Sequence, residues 1–149
     1  MNTTRTSLDI AAPSATIYAF AAATERWPEI LPHYRYVRIL AGTATDRLVE
    51  MAARRDFIPI RWVAHQRNDP HRPHIAFHHT EGWTRGMDVE WLFEPIEGGT
   101  RVTIEHRLHF QFPVASKWLG EHVVGKFFID DVARKTLARM KALAERDDG

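Results

Sequence analysis

The stretch TERWPEILPHYRYVRIL, residues 24–40, sets the architecture of this chain. Pro28 lacks an N–H group and restricts the residue before it, so we expect no helix to run through Trp27. Pro32 ends any short helix that follows, and a run with β-branched residues begins at Tyr34. The stretch therefore predicts a tight helical elbow that carries bulky side chains into a strand. Such an elbow either plugs the end of a core or forms the rim of a pocket.

Strand and helix patterns on both sides of the elbow predict a mixed fold. Residues 5–10 alternate weakly and predict a first strand, and Ala12-Pro13-Ser14 begins a helix with one apolar face. After the elbow the apolar period falls to two, with a hairpin turn at Gly98-Gly99. This pattern predicts six further strands, over residues 34–40, 47–55, 58–67, 74–80, 87–95 and 101–110.

The C-terminal third has a helical period over about 30 residues. Its apolar positions are Trp118, Leu119, Val123, Phe127, Phe128, Val132, Leu137, Met140 and Leu143. Gly120 and Gly125 weaken the first half, so a bend or break is expected there. We therefore predict an α+β fold, in which a curved antiparallel sheet of six to seven strands wraps around a long C-terminal helix. Two short helices follow the first strand, and residues 1–149 form a single domain.

The composition excludes several classes of function. The 149 residues carry a net charge of +1 without a clustered basic face, so no nucleic-acid partner is expected. The chain has no Cys, which excludes disulfides and thiolate chemistry. No apolar run reaches the roughly 20 residues of a membrane span. Residues 10–24 faintly resemble a signal-peptide core, but Pro13 and Ser14 interrupt it, so we expect a cytoplasmic protein.

Strand alternation places an unusual mixture of side chains on the inner face of the sheet. In the last strand His106 shares the apolar face with Val102, Ile104 and Leu108. The same reasoning turns inward the apolar residues Trp62, Ala64, Phe77, Met87, Trp91 and Phe93, and the polar residues Tyr34, Gln66, His79 and Glu81. A single inward His is more often a satisfied core residue. Several convergent polar groups on an apolar wall are typical of a small-molecule cavity.

The histidine-rich run HRPHIAFHH, residues 71–79, does not predict a metal site. His78 and His79 point to opposite faces of a strand, and His74 and His78 are roughly 13 Å apart along it. The chain also has no phosphate-binding glycine loop and no Gly-x-Ser-x-Gly elbow. We therefore predict neither a metal nor another cofactor.

Three segments carry a family resemblance: residues 9–40, FEPIEGGTRVTI (93–104) and DDVARKTLARMKALAE (130–145). With the order of elements, they resemble the START-related helix-grip superfamily, and most closely its polyketide cyclase/dehydrase group. That group includes aromatase/cyclases and coenzyme Q-binding proteins. The resemblance implies a deep hydrophobic cavity between sheet and helix, lined by Trp27, Tyr34 and Trp62. Where aromatase/cyclases place a Ser and then an Arg, this chain has Ala64 and Gln66.

The resemblance implies an enzyme that cyclises and dehydrates a hydrophobic or aromatic polyketide, which an acyl carrier protein could present. In this reading His106 or His79 is the general base or acid near neutral pH, and Glu81 orients His79. Tyr34 and Gln66 donate hydrogen bonds to the developing enolate or alkoxide. The ligand would contact the inward residues named above, the elbow residue Trp27, and Phe128 of the terminal helix.

Two other hypotheses for the function are compatible with the sequence. The first is a carrier or chaperone for a lipid, quinone or pigment, which needs only the apolar cavity. The second is an interaction protein that presents the Arg-rich outer face of the sheet to an acidic partner. Either a monomer or a homodimer is compatible with the sequence.

Overall fold

The computed structural model describes residues 2–55, 57–82, 84–108 and 129–147. Seven strands form one antiparallel sheet: β1 Asn2–Ile10, β2 Tyr34–Gly42, β3 Asp46–Arg55, β4 Ile58–Asp69, β5 His74–Gly82, β6 Asp88–Ile96 and β7 Gly99–Leu108. Their order across the sheet is β1-β7-β6-β5-β4-β3-β2, so that β1 and β2 are the two edges. The predicted antiparallel sheet and its strands are confirmed.

Helical segments occupy the positions that the sequence predicts. Helix α1 spans Ser14–Ala22, a 3₁₀ turn spans Thr24–Arg26, helix α2 spans Trp27–Ile30 and helix α3 spans Asp130–Asp147. Helix α3 packs against β1 and α1. It buries the residues Ala133, Leu137, Met140 and Ala144, whose spacing of three and four places them on one face of the helix. Residues 109–128, with the predicted first half of this helix, lie outside the described residues.

The elbow differs from its prediction at Pro28. Helix α2 begins at Trp27, and Pro28 lies in its first turn. A proline is tolerated there because the first N–H groups of a helix have no partner within the helix. The predicted stop before Pro32 is confirmed: Leu31 has an extended conformation, and its N–H donates to the Trp27 carbonyl oxygen at 2.6 Å.

Two glycines at the connection between β6 and β7 allow the close approach of β1 to be tested. A Cβ atom on Gly99 would lie 2.0 Å from the backbone oxygen of Ile10 in β1, whereas a Cβ atom on Gly98 would meet nothing within 4 Å. Gly98 has a positive φ of 81°, which Asn tolerates better than other side chains. We expect Gly99→Ala to lower the free energy of unfolding by about 1–3 kcal/mol, and Gly98→Asn to change it far less. Urea denaturation of both variants measures this, and equal midpoints would refute the close approach of β1.

Candidate functional site

A cavity lies between the inner face of the sheet, the elbow and helix α3. Its volume is ≈ 70 Å³, within a concave space of ≈ 600 Å³ that includes open solvent. Pockets for drug-sized ligands measure about 300–1,000 Å³, so a ligand of that size has to extend into the concave space or displace side chains. The described residues that line the cavity are Trp27, Tyr34, Met51, Ile60, Trp62, Phe77, His79, Thr84, Met87, Val89, Trp91, Ile104, His106, Ile129, Val132, Ala133 and Thr136.

Trp27 of the elbow is the centre of the aromatic wall. Its ring lies 5.0 Å from the ring of Tyr34 in an edge-on contact and 5.9 Å from that of Trp91. The ring of Phe77 is 6.3 Å away. The indole N–H donates to the backbone oxygen of Phe20 in α1 at 3.2 Å, which satisfies its one polar group. The elbow is therefore both buried in the core and part of the cavity wall.

His79 is buried on the wall formed by β5. Its ring stacks on Trp62 at an interplanar angle of 13° with centroids 5.6 Å apart. Its Nδ1 atom is 2.6 Å from the hydroxyl oxygen of Thr84, which lies in the loop after β5. Burial, followed by the electrostatic effect of His106, lowers the pKa of His79 to about 3. The imidazole is therefore neutral at pH 7, and Thr84 fixes its orientation.

His106 is buried on the neighbouring wall formed by β7. Its Nδ1 atom is fully buried and has no hydrogen-bond partner among the described residues. Burial lowers the pKa of His106 to about 4, so this ring is also neutral at pH 7. A buried polar atom without a partner is costly, and a ligand group could satisfy it.

Glu81 does not orient His79, contrary to the prediction. The pairing of β4 with β5 passes from Ala64–His79 to Val63–Glu81, which leaves Thr80 as an extra residue on β5. This irregularity changes the alternation of the strand, so Glu81 is exposed. The contact to His79 comes from Thr84 instead.

Tyr34 lies on the cavity wall, as predicted, and contacts a third buried histidine, His33, which the sequence did not indicate. Burial raises the pKa of Tyr34, so its phenol is protonated at neutral pH. The ring of His33 lies edge-on to it at 5.0 Å. The Thr136 hydroxyl donates to the Val132 oxygen and accepts from His33 Nε2 at 2.8 Å. Burial is also the main cause that lowers the pKa of His33 to about 4. His33 therefore joins the elbow to α3 as a neutral ring.

Several residues that were predicted to contact the ligand are not among the described residues that line the cavity. Gln66 is fully buried outside the cavity lining, and its amide donates to the Ala22 oxygen at 3.1 Å and to Asn68 Oδ1 at 2.9 Å. Ala64 is buried outside the lining as well. Phe93 is half-buried and packs on Trp91 rather than lining the cavity. Phe128 lies outside the described residues.

Arg47 of β3 anchors the elbow, which the sequence analysis did not predict. Its buried guanidinium donates to the Glu25 carboxylate at 2.7 Å and the Thr24 hydroxyl at 2.8 Å. It also donates to the backbone oxygen of Ala22 at 3.0 Å. These partners belong to the end of α1 and the 3₁₀ turn, and Thr24 in turn donates to Gln66 Oε1 at 2.8 Å. Arg47 and Gln66 thus hold the elbow against the sheet.

Replacing Arg47 with Met should loosen the elbow. We expect the free energy of unfolding to fall by about 2–4 kcal/mol, because buried acceptors lose a charged donor. The Arg5→Met variant is the matched control, since Arg5 is 70% exposed in its ion pair with Glu105 and should cost at most about 1 kcal/mol. Chemical denaturation measures both variants, and equal losses would show that Arg47 is not an anchor.

Three histidines outside the cavity, His65, His74 and His78, pair with carboxylates on the outer face of the sheet. His78 is 2.6 Å from Asp88, His74 is 3.5 Å from Glu90, and His65 contacts Asp46. Within the described part of the chain, no group of three or more His, Asp or Glu side chains is arranged to hold a metal ion. Among the described helices, none has the length and apolar character needed to cross a membrane.

Comparisons with known proteins agree with this architecture. The chain is 29% identical over 142 residues to the granaticin polyketide synthase bifunctional cyclase/dehydratase of Streptomyces violaceoruber, an alignment that covers 93% of this chain and 43% of that protein. The chain thus spans less than half the length of this relative. Its fold is similar to the Zhui aromatase/cyclase from Streptomyces sp. R1128, with a TM-score of 0.82, 19% identity, and coverage of 99% of this chain and 96% of that one.

A START superfamily protein from Mycobacterium smegmatis is also similar in fold, with a TM-score of 0.72, 12% identity and 97% coverage of both chains. The predicted helix-grip fold is therefore confirmed. The family model described as polyketide cyclase / dehydrase and lipid transport matches residues 10–141. Because this match covers most of the sequence, the chain belongs to the polyketide cyclase / dehydrase and lipid transport family.

Proposed function

We propose that this protein binds a hydrophobic, polyketide-type molecule in the cavity and promotes its aldol cyclisation and dehydration. The observation that carries the proposal is the pair of buried neutral imidazoles, His79 and His106, on a wall that is otherwise mostly aromatic and aliphatic. The name of the Streptomyces violaceoruber relative, a cyclase/dehydratase, supports the same chemistry.

The aromatic wall supplies the binding and folding of the substrate. Trp27, Trp62 and Trp91 offer flat apolar surfaces on the cavity lining. A flexible chain of ketones held against such surfaces can fold so that one of its carbons lies next to a distant carbonyl group. This converts a rare encounter in solution into a near-attack geometry.

The imidazoles supply the proton transfers. A neutral imidazole nitrogen takes a proton from a carbon between two carbonyl groups, and the resulting enolate carbon forms a bond to a ketone carbon of the same molecule. The imidazolium then returns its proton to the new alkoxide oxygen, which becomes a hydroxyl group. Loss of a second α-proton together with that hydroxyl group releases water and leaves a carbon–carbon double bond.

The low pKa values alter the predicted roles of the two histidines. In the empty cavity both rings are neutral bases and neither carries the additional proton of an imidazolium, because burial disfavours the charged form. An enolate formed beside the ring supplies the missing negative charge and raises the pKa of the imidazole during the reaction. Each histidine therefore becomes an acid only after it has acted as a base.

Tyr34 and Thr84 support this step in different ways. The protonated phenol of Tyr34 is able to donate a hydrogen bond to the enolate or alkoxide oxygen. Thr84 holds Nδ1 of His79, so that in the tautomer with the proton on Nδ1 the Nε2 lone pair is the base. Gln66 and Glu81 have no part in the proposed step.

Product analysis distinguishes catalysis from transport. The protein is incubated with a poly-β-ketone thioester, supplied both as a simple thioester and on an acyl carrier protein, and the products are analysed by mass spectrometry. We expect a cyclised product that has lost water, formed faster than in a protein-free control. Recovery of the bound substrate with unchanged mass would instead indicate a carrier and would refute the catalytic proposal.

A further inference from the structure

The turn between β3 and β4 exposes two large apolar side chains, which we call the apolar tip: Phe57 and Ile58. Phe57 is 89% exposed and Ile58 is 51% exposed. Among the large hydrophobic residues that the structure describes, Phe57 is the most exposed. Single exposed apolar residues are ordinary, but an aromatic and an aliphatic residue side by side on a projecting turn point to a contact surface.

The apolar tip lies next to the cavity. Ile58 begins β4 and shares a face of the strand with Ile60 and Trp62, which both line the cavity. Neighbours on the same face of a strand are about 7 Å apart. Ile58 is therefore one alternation beyond the cavity wall, on the same apolar row.

Arginines flank the tip in the sequence. The segment RRDFIPIR, residues 54–61, contains three Arg and one Asp, a net charge of +2. The N–H of Arg54 donates to the backbone oxygen of His33 at 2.9 Å, which ties the base of the tip to the elbow. The exposed Arg54 also shares a surface groove with Lys135 and Arg139 of α3. Cations from the sheet and the helix thus lie at the same end of the molecule as the apolar tip.

We propose that the apolar tip and its cations dock onto the surface of an anionic phospholipid bilayer. Aromatic and aliphatic side chains on a projecting turn enter the region between headgroups and acyl chains, while Arg and Lys attract anionic headgroups. Because Ile58 of the tip continues the apolar row of the cavity, docking places the lipid beside the cavity wall. A hydrophobic ligand can then pass between bilayer and cavity with little exposure to water. An acidic protein would match the charge, but apolar side chains that project from a turn fit a fluid bilayer better.

Vesicle co-sedimentation tests this docking with the whole chain. We expect the protein to bind mixed phosphatidylcholine–phosphatidylglycerol vesicles, to bind pure phosphatidylcholine vesicles poorly, and to dissociate at high salt. Phe57→Ser together with Ile58→Ser should lower the partition constant by about tenfold or more. Arg54→Gln should lower it by about fivefold on the anionic vesicles only.

A matched control uses exposed apolar residues elsewhere on the sheet. Ile39 and Leu40 of β2 are 45% and 51% exposed. Ile39 pairs with Val49, six residues or about 20 Å along β3 from Arg55 at the base of the tip. Ile39→Ser together with Leu40→Ser should leave vesicle binding unchanged, and circular dichroism should show that every variant is folded.

Three outcomes would overturn the docking proposal. They are equal binding to neutral and anionic vesicles, an equal loss in the β2 control, and binding to an acyl carrier protein that needs the tip while vesicles are not bound. None of them bears on His79 and His106, because the product analysis uses a soluble thioester without vesicles. Failure of the docking proposal is therefore distinguishable from failure of the proposed function.

Discussion

The His106→Phe variant is expected to form the cyclised product about 10²–10⁴-fold more slowly than the unaltered protein. Phe keeps a planar ring, somewhat larger than imidazole, but has no nitrogen to accept a proton. Its cost in stability should be small, because Nδ1 of His106 has no hydrogen-bond partner among the described residues. Affinity for a hydroxylated naphthalene, measured by quenching of tryptophan fluorescence, should change only severalfold because the aromatic wall remains.

His78→Phe is the matched control for this result. His78 precedes His79 in β5 but lies on the outer face, where it pairs with Asp88. Its replacement should leave the rate of cyclisation unchanged. If His106→Phe retains full activity, or if His78→Phe loses as much, the imidazole of His106 is not the base.

The second large effect is a loss of stability in mild acid. His33, His79 and His106 have folded-state pKa values of about 4, 3 and 4, compared with 6.5 for an ordinary histidine. At a pH between the folded and unfolded pKa values, the unfolded chain binds protons that the folded chain does not. The contribution of these neutral rings to the free energy of unfolding is therefore fully present above pH 6.5 and is lost as the pH falls toward 4. Each ring contributes on the order of 3 kcal/mol to the loss, because one pKa unit corresponds to 1.36 kcal/mol.

Urea denaturation across this pH range measures the effect. The free energy of unfolding should fall with a slope that corresponds to the uptake of up to three protons, and His106→Phe should remove about one proton from that slope. The carboxyl pKa values of Asp9, Asp46, Asp69, Glu90 and Glu145 are lowered, so these groups lose their contribution only at more acidic pH. A stability that stays constant between pH 6.5 and 5 would show that the three rings are not buried as neutral groups.

Strand alternation was sufficient to predict most of the cavity wall. Trp62, Phe77, His79, Trp91 and His106 all lie on the inner face, because in a regular strand every second residue points the same way. Glu81 was placed wrongly because an extra residue at Thr80 changes the alternation, and a strand pattern carries no sign of such a bulge.

Long-range polar contacts could not be predicted from the sequence. Arg47 joins β3 to an elbow more than 20 residues earlier, and His33 bonds to Thr136, 103 residues away. His33 lies within the stretch that predicts the elbow, yet only the position of α3 gives it a partner. Gln66 was correctly expected to be buried, but its donors serve the elbow and not the cavity.

The ¹⁵N NMR spectrum of the imidazole nitrogens at neutral pH, recorded with and without a hydroxylated naphthalene, tests whether neutral imidazoles meet the ligand in this cavity. We expect His79 and His106 to be neutral in the free protein and their nitrogen shifts to change when the ligand binds. The shifts of His65, His74 and His78 on the outer face should stay the same. Charged rings at positions 79 and 106, or ligand-induced shifts confined to the outer face, would contradict the claim that neutral imidazoles meet the ligand in this cavity.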